Sequence, residues 1–351
     1  MKIIHTADLH LDSVLETNLN SQIQRDRKRE LLSNFERLVE YANKHNVDRI
    51  IIAGDLFDSN RISQKSKNFI VDIINSNPNI DFLYVTGNHE EDAFLNNINT
   101  IPENLKTFTK KFETYTYSDC DITGINYTDK YDFTDLNLKE DRVNILIIHG
   151  DINTNLHTSF LKDRNIDYVA LGHIHKYLRG NIDDRTEYCY PGCLEGRGFD
   201  ECGEKGFSLL EVIGNKVKSE FVPFAQRVLH EVIVDISDCE NYIDVKRLVL
   251  LKCEDIKEKD MIKVRLVGKY NLDIFKQNEM LSDSLNEKYY FARIVDDSTL
   301  KINPRDYEND ISLKGEFIRN VLKSNLSDED KNQVIEFGIK ALMKEDLEWN
   351  S

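Results

Sequence analysis

Five short apolar runs, each ending in Asp, Asn or His beside a glycine or a turn, constrain this chain more than any other feature. They read KIIHTADLH at 2–10, RIIIAGD at 49–55, FLYVTGNHE at 82–90, VNILIIHGD at 143–151 and YVALGHIH at 168–175. Runs of this length and β-branched content are buried strands, and helical patterns occupy 21–46 and 64–76 between them. We place strands at 48–53, 81–86, 143–148 and 167–171, after the opening one. The alternation implies a layered α/β domain whose functional groups gather at the carboxyl ends of strands. Asp8 and His10 stand two apart, and in an extended chain they point the same way, so one ion fits between them.

Each motif alone has an ordinary reading, since GNH makes a turn and HIH a half-buried strand end. Five in this order, each at a strand terminus, have a joint one. Asp8, His10, Asp55, Asn88, His89, His149, His173 and His175 are oxygen and nitrogen donors without a thiolate, a set that suits Mn, Fe or Zn. Eight groups exceed the needs of one ion and fit two that share a bridging carboxylate. Two ions roughly 3.5–4 Å apart stabilise the attacking and leaving oxygens of phosphoryl transfer. Glycines 54, 87, 150 and 172 permit the tight turns such a centre needs.

From 177 to 222, short strands with Gly and Pro turns predict a second, antiparallel-rich sheet. PFAQR at 223–227 reads as a boundary. Strands at 229–236, 261–267 and near 289–295, with helices between, predict a small α+β capping domain over 228–297. Residues 312–346 read as two amphipathic helices, the second announced by the S-D-E-D capping pattern at 327–330. The domains expected are therefore 1–225, 228–297 and 312–346.

Charge bears on the substrate. With 46 basic and 62 acidic residues the net charge is −16. Proteins that grip DNA through a broad surface are usually basic, because phosphate neutralisation drives affinity. An acidic chain needs a local basic mouth, metal ions or a partner. QRDRKRE at 24–30 stacks Arg25, Arg27, Lys28 and Arg29 near a helix start, and Arg61 follows the second motif with Lys65 and Lys67. The run is either a solvated helix face or a phosphate-attracting rim. Cys189, Cys193 and Cys202 lack the paired C-x2-C spacing of a zinc ribbon and read as small core residues. No apolar run reaches membrane-spanning length, no signal-peptide pattern opens the chain, and the six cysteines fit reduced thiols. We expect a cytoplasmic protein with no membrane partner.

At these motifs the sequence resembles the calcineurin-like metallophosphoesterases, whose signature is D-x-H, G-D, G-N-H-[DE], H and G-H-x-H. HTADLHLDS, YPGCLEGRGFDECGEKGF and NDISLKGEFIRNVL resemble more closely the nuclease subunit of the bacterial SbcCD complex and YhaO-like DNA repair exonucleases. The resemblance spans nearly the whole chain and implies a layered α/β metallophosphoesterase sandwich with an α+β cap and C-terminal helices. It implies one metal on Asp8, His10 and His175, a second on Asn88, His149 and His173, and Asp55 bridging. Most simply the ions are manganese, with iron or zinc as alternatives. His89 then stabilises the transition state or protonates the leaving oxygen during in-line attack on phosphorus. The implied activity is DNA exonuclease with some endonuclease action, and the implied partners are DNA, an SMC-like coiled-coil ATPase docked on 312–346 and a second copy in a homodimer. The alternatives are a small-molecule phosphodiesterase or phosphatase and a non-catalytic scaffold. One departure is visible: archaeal and eukaryotic relatives carry histidine three residues after the bridging aspartate, where this chain, like bacterial members, has Asp58.

Overall fold

The structure, a computed structural model, describes residues 1–13, 19–91, 93–96, 98, 100–270, 277–301 and 307–342. The chain divides into two compact units, Met1–Leu229 and His230–Ser351.

In the first unit the strands are β1 (Lys2–Thr6), β2 (Arg49–Ala53), β3 (Asp81–Val85), β4 (Leu105–Thr107), β5 (Glu113–Thr116) and β6 (Asp121–Gly124). They continue as β7 (Asn144–His149), β8 (Tyr168–Gly172), β9 (Leu178–Asn181), β10 (Glu187–Tyr190), β11 (Gly206–Ile213) and β12 (Lys216–Pro223). Helices α1 (Ser21–Lys44) and α2 (Gln64–Asn75) follow the first two strands. Two six-stranded sheets result, ordered β12-β11-β1-β2-β3-β4 and β5-β6-β7-β8-β10-β9. Strands β1 to β4 run parallel, as do β6, β7, β8 and β10; the antiparallel pairs lie at the margins.

The period-two pattern explains the layering. Ile3, Ile51, Leu83 and Val85 meet Ile122, Ile145, Ile147 and Ala170 in one core between the sheets. Their neighbours Ile4, Ile50, Ile52, Phe82 and Tyr84 face the helices, packing on Leu31, Phe35, Leu38 and Val39 of α1 and Ile70 and Ile74 of α2. Both faces of these strands are buried, hence their uninterrupted apolar runs. Each fully buried Leu, Ile or Phe contributes about 1.5–3 kcal/mol.

The second antiparallel sheet expected over 177–222 does not form as a separate body. Strands β9 and β10 join one sheet and the β11–β12 hairpin joins the other. Cys189, Leu210 and Val212 thereby enter the core between the sheets, burial a detached hairpin would not provide.

The second unit holds β13 (Leu229–Asp235), α3 (Tyr242–Lys252), β14 (Met261–Val267), β15 (Lys269–Tyr270), α4 (Asn278–Asn286), β16 (Phe291–Asp296), β17 (Thr299–Leu300), α5 (Leu313–Leu322) and α6 (Asp328–Leu342). Its main sheet is β13-β14-β16. Ile318 and Val321 of α5 and Ile335 and Ile339 of α6 are buried in the same core as Val234, Val264 and Leu281. The two terminal helices thus complete this unit. The side chain of Leu342 and residues 343–346 of the expected docking segment lie outside the described residues.

Candidate metal centre

Five loops leaving β1, β2, β3, β7 and β8 bring the sequence-predicted donors into one ring. The chain leaves β1 by a turn rather than by continued extension: Asp8 and His10 have φ of 52° and 46°, and Asp55 has φ of 50°. The shared direction of Asp8 and His10 therefore comes from left-handed turns, and not from strand geometry. Backbone bonds hold these loops together, Asp8 N donating to Gly54 O (3.1 Å), His10 N to Asp55 O (3.0 Å) and Leu11 N to Leu56 O (2.9 Å). Non-glycine residues in left-handed conformation cost energy and persist where surroundings overdetermine them. Two glycines are required by contact: a Cβ on Gly54, at φ +88°, lies 2.3 Å from His149 Nδ1, and one on Gly87 lies 2.0 Å from Asp55 Oδ1.

Asp8, His10, Asp55 and His149 are fully or almost fully buried, whereas His89 and His173 are exposed. Asp55 Oδ2 lies 3.8 Å from His10 Nε2 and 3.4 Å from His149 Nε2, between the two halves of the ring. Asn88 Oδ1 lies 2.9 Å from His149 Nε2 and 3.2 Å from His173 Nδ1. His173 N donates to both oxygens of Asp8, at 2.9 and 3.0 Å. Ligand atoms of Asp8, His10 and His175, and of Asp8, Asp55 and His149, fall within 4.8 Å of one another, as do those of His10, Asp58 and His89.

The donor pattern fits cations. His175 Nδ1 lies 2.7 Å from Glu201 Oε1, and His10 Nδ1 lies 3.0 Å from Asp58 Oδ1. A carboxylate accepts only, so the His175 proton sits on Nδ1, while His10 Nδ1 meets Asp58 as a close contact without hydrogen-bond geometry; the two Nε2 atoms face each other at 3.0 Å. His149 Nδ1 likewise donates to Ala53 O at 2.9 Å, turning Nε2 towards the acceptor Asn88 Oδ1. Acceptors so converged are reconciled by a positive charge between them, a cation or, without one, a proton. The electrostatics agree. Burial pushes Asp8 up, partly offset by the His149 and His175 imidazoles. Burial also pushes Asp55 up, but the hydrogen bond and charge of His149, with His10, hold it well below the usual carboxylate range. Against the lowering effect of burial, Asp55 and Asp8 raise His149 to about 9.

Several participants lie in or beside the motifs without a role having been read from them. Glu90 is fully buried, accepts from Leu56 N (3.0 Å) and Phe57 N (2.7 Å), and fixes the loop bearing Asp55; burial and the Asp55 charge raise it to about 8. Asp58, Arg197 and Glu201 surround His10 and His175. The signal for Glu201 was an Arg–Glu pair four apart in a Gly-rich loop, which sequence alone does not connect to a histidine. His89 N donates to Asp55 Oδ1 (3.1 Å) and its Nδ1 to Asp58 O (3.2 Å), leaving Nε2 for other chemistry.

The basic residues divide. Arg25, Lys28, Arg29 and Arg61 are exposed. Arg25 donates to Gln22 (2.8 Å) and Arg29 faces Asp26 at 3.6 Å. Arg27 is 1% exposed, donating to Glu195 Oε1 (3.0 Å) and Gly196 O (2.6 Å) and pairing with Glu30. A guanidinium so enclosed cannot line a surface rim, and Arg27 is removed from the set of DNA-contact residues. Lys67 is also buried, donating to Asn96 O at 2.7 Å. Cys189 and Cys193 are buried, and among the described residues no donor cluster includes a cysteine. Among those residues no helix is long and apolar enough to cross a membrane.

The chain is similar to several known proteins. The chain is 24% identical over 365 residues to YhaO of Bacillus subtilis (strain 168), an uncharacterised metallophosphoesterase, covering 93% of this chain and 88% of that protein. Two solved structures are similar at low identity. One is TT1561 of Thermus thermophilus, 14% identical, covering 63% of this chain and 98% of that one with a TM-score of 0.42. The other is a dimetal phosphatase from Danio rerio, 9% identical, covering 62% and 98% with a TM-score of 0.41. The family model for calcineurin-like phosphoesterases matches residues 1–177, the span that carries all five donor loops. The chain belongs to the calcineurin-like phosphoesterase family, metal-dependent phosphoester hydrolases that use two divalent metals.

Proposed function

We propose that this protein is a two-metal phosphodiesterase that cuts DNA, as exonuclease and endonuclease, and works with an SMC-like coiled-coil ATPase in DNA end processing. The observation that carries the reading is a complete ring of oxygen and nitrogen donors with exposed His89 fixed at its edge. In this reading Asp8, His10 and His175 would hold one ion, Asn88, His149 and His173 would hold the other, and Asp55 would be shared by both. The two cations, manganese by preference, supply Lewis acidity and charge to the phosphoester oxygens. His89 does the proton work. Its backbone is tied to Asp55 and its Nδ1–H to Asp58 O, so in the imidazolium form, with both nitrogens protonated, Nε2 gives its proton to the leaving oxygen and the ring is left neutral.

The DNA substrate rests on the resemblance of the cap and tail motifs, and on exposed Arg25, Lys28, Arg29 and Arg61 as a local basic feature in an acidic chain. The ATPase contact falls to the outward side of the terminal helices. Ile311 is 99% exposed, Leu313 68% and Val334 39%, while the inward residues are committed to the core. A helix-in-groove contact suits that face. Substituting these three with Asp tests docking better than deleting 312–351, which removes part of the core. In the same reading the protein works in the cytoplasm as a homodimer.

The net charge of −16 favours one competing reading, a phosphodiesterase for small nucleotides, which needs no extended basic surface. Purified full-length protein with Mn(II) decides between them. Labelled linear duplex, with and without the ATPase, is compared with a panel of nucleotide diesters. Cutting of DNA, stimulated by ATPase and ATP, supports the proposal; turnover confined to small diesters replaces it.

A further inference from the structure

Both histidines on one side of the ring are held from behind by carboxylates, and a single guanidinium joins those carboxylates. Arg197 Nη1 donates to Asp58 Oδ1 at 2.7 Å, and its Nη2 donates to Glu201 Oε1 at 2.9 Å. Asp58 faces His10 and Glu201 faces His175 at the distances given above. The bridge spans 139 residues between Asp58 and Arg197 and makes one unit of loops that the chain delivers separately. Every member has further partners. Glu201 is buried, and its second oxygen accepts from Arg197 N at 2.7 Å. Ser13 Oγ donates to the second oxygen of Asp58 at 3.1 Å. Lys205 Nζ donates to His175 O at 2.7 Å, fixing the backbone behind the same ligand.

The other side of the ring differs. There His149 Nδ1 donates to the carbonyl of Ala53, a backbone group with no side chain to replace. The two ions therefore meet imidazoles of different support: on one side carboxylate-backed and cross-linked, on the other backbone-backed.

We propose that Asp58, Arg197 and Glu201 form a clamp of positioning residues that sets His10 and His175 jointly for one of the two metals. The inference rests on the assignment of His10 and His175 to a single ion. Arg197 Nε, Nη1 and Nη2 each donate to one of the two carboxylates, and Nη2 also lies 3.4 Å from His175 Nδ1, so the guanidinium is held within the clamp. A planar fork matches two carboxylates at once, which an ammonium does not. Hydrogen-bond partners behind a metal ligand typically govern affinity by roughly 10–100-fold.

Mn(II) titration of the metal-free full chain, followed by electron paramagnetic resonance, tests this. The intact protein binds two ions. Arg197→Ala and Glu201→Ala should each weaken one of them on the order of 10–100-fold and leave the other unchanged. Glu201→Gln keeps an acceptor for His175 Nδ1 and should recover most of the lost affinity; Arg197→Lys reaches one carboxylate and should recover less. Thermal unfolding of each metal-free variant accompanies the titration. Equal weakening of both ions with a lowered metal-free melting temperature makes the bridge merely structural and overturns the clamp, as does unchanged affinity. Asp8→Ala distinguishes a failed clamp from a failed ligand assignment. If that variant still binds two ions at full affinity, the ligand assignment fails and the clamp falls with it. If it loses an ion while the Arg197 and Glu201 variants do not, the clamp alone is wrong.

Discussion

Asp55 lies between the two halves of the ring, with His10 Nε2 and His149 Nε2 at 3.8 and 3.4 Å from the same oxygen. Asp55→Ala should therefore lose both ions and activity together, and two full equivalents of bound metal in that variant count against its bridging position. His89 predicts the opposite pattern. His89→Ala should keep two ions while turnover falls by about 10²–10⁴-fold, the loss expected for a general acid; a metal-free variant makes His89 a ligand. His149 adds a pH dependence. Metal-free, it is raised to about 9, so near neutrality a proton occupies the nitrogen that a cation requires. Metal binding near neutral pH should release that proton, and apparent affinity should rise with pH up to about 9. Calorimetry in buffers of different ionisation enthalpy measures the release, and an equal heat in all of them contradicts it.

Among the elements, β1 carries a buried histidine, bonded to β8, that the metal chemistry does not use. His5 Nε2 contacts Leu171 O at 3.2 Å, so it must donate, and Nδ1 then accepts from Tyr168 OH at 3.0 Å. Burial lowers this histidine to about 3. The unfolded chain, with an ordinary histidine near 6.5, binds the proton first as pH falls, so stability is full above about 6.5 and is lost progressively towards 3. The loss approaches about 5 kcal/mol at its limit. Relative to His5→Gln, the metal-free wild type should lose its stability advantage as pH drops from about 7.5 to about 5, measured by urea unfolding. A gap that stays constant removes His5 as the cause. Elements of this kind were legible in the sequence to very different degrees. The donor-bearing strands announced themselves because both faces are buried and the runs are short and apolar. Strands β4, β5 and β6 did not, since ETYT of β5 is mostly exposed and carries no alternation. The partition of β9 to β12 between two sheets also escaped, because local pattern predicts hairpins and not the edge they join. Asp8, Asp55 and the histidines were readable from spacing. The supporting roles of Glu90, Asp58 and Glu201, which stand in or beside the quoted motifs, were not, because each reaches the loop or ligand it supports from 26 to 48 residues away along the chain.

At the scale of the whole molecule, the proposed action on DNA requires an acidic chain to hold it by few contacts. If the four exposed cations Arg25, Lys28, Arg29 and Arg61 neutralise roughly two to four phosphates, as proposed, the slope of log affinity against log salt should be about −2 to −4. Changing Arg25, Lys28 and Arg29 to Glu should remove most binding by the isolated protein in fluorescence anisotropy. Unchanged affinity returns the run to a solvated helix face. In that case the proposed ATPase partner would be the main source of DNA affinity. All of this stands on the ring of strand-end donors being a two-ion centre. Anomalous diffraction at the manganese edge, from crystals of the intact protein grown with Mn(II), tests that directly. Two peaks are expected, both within coordination distance of Asp55, one beside His10 and His175 and the other beside Asn88 and His149. A single peak, or two peaks that do not share Asp55, contradicts the two-ion centre.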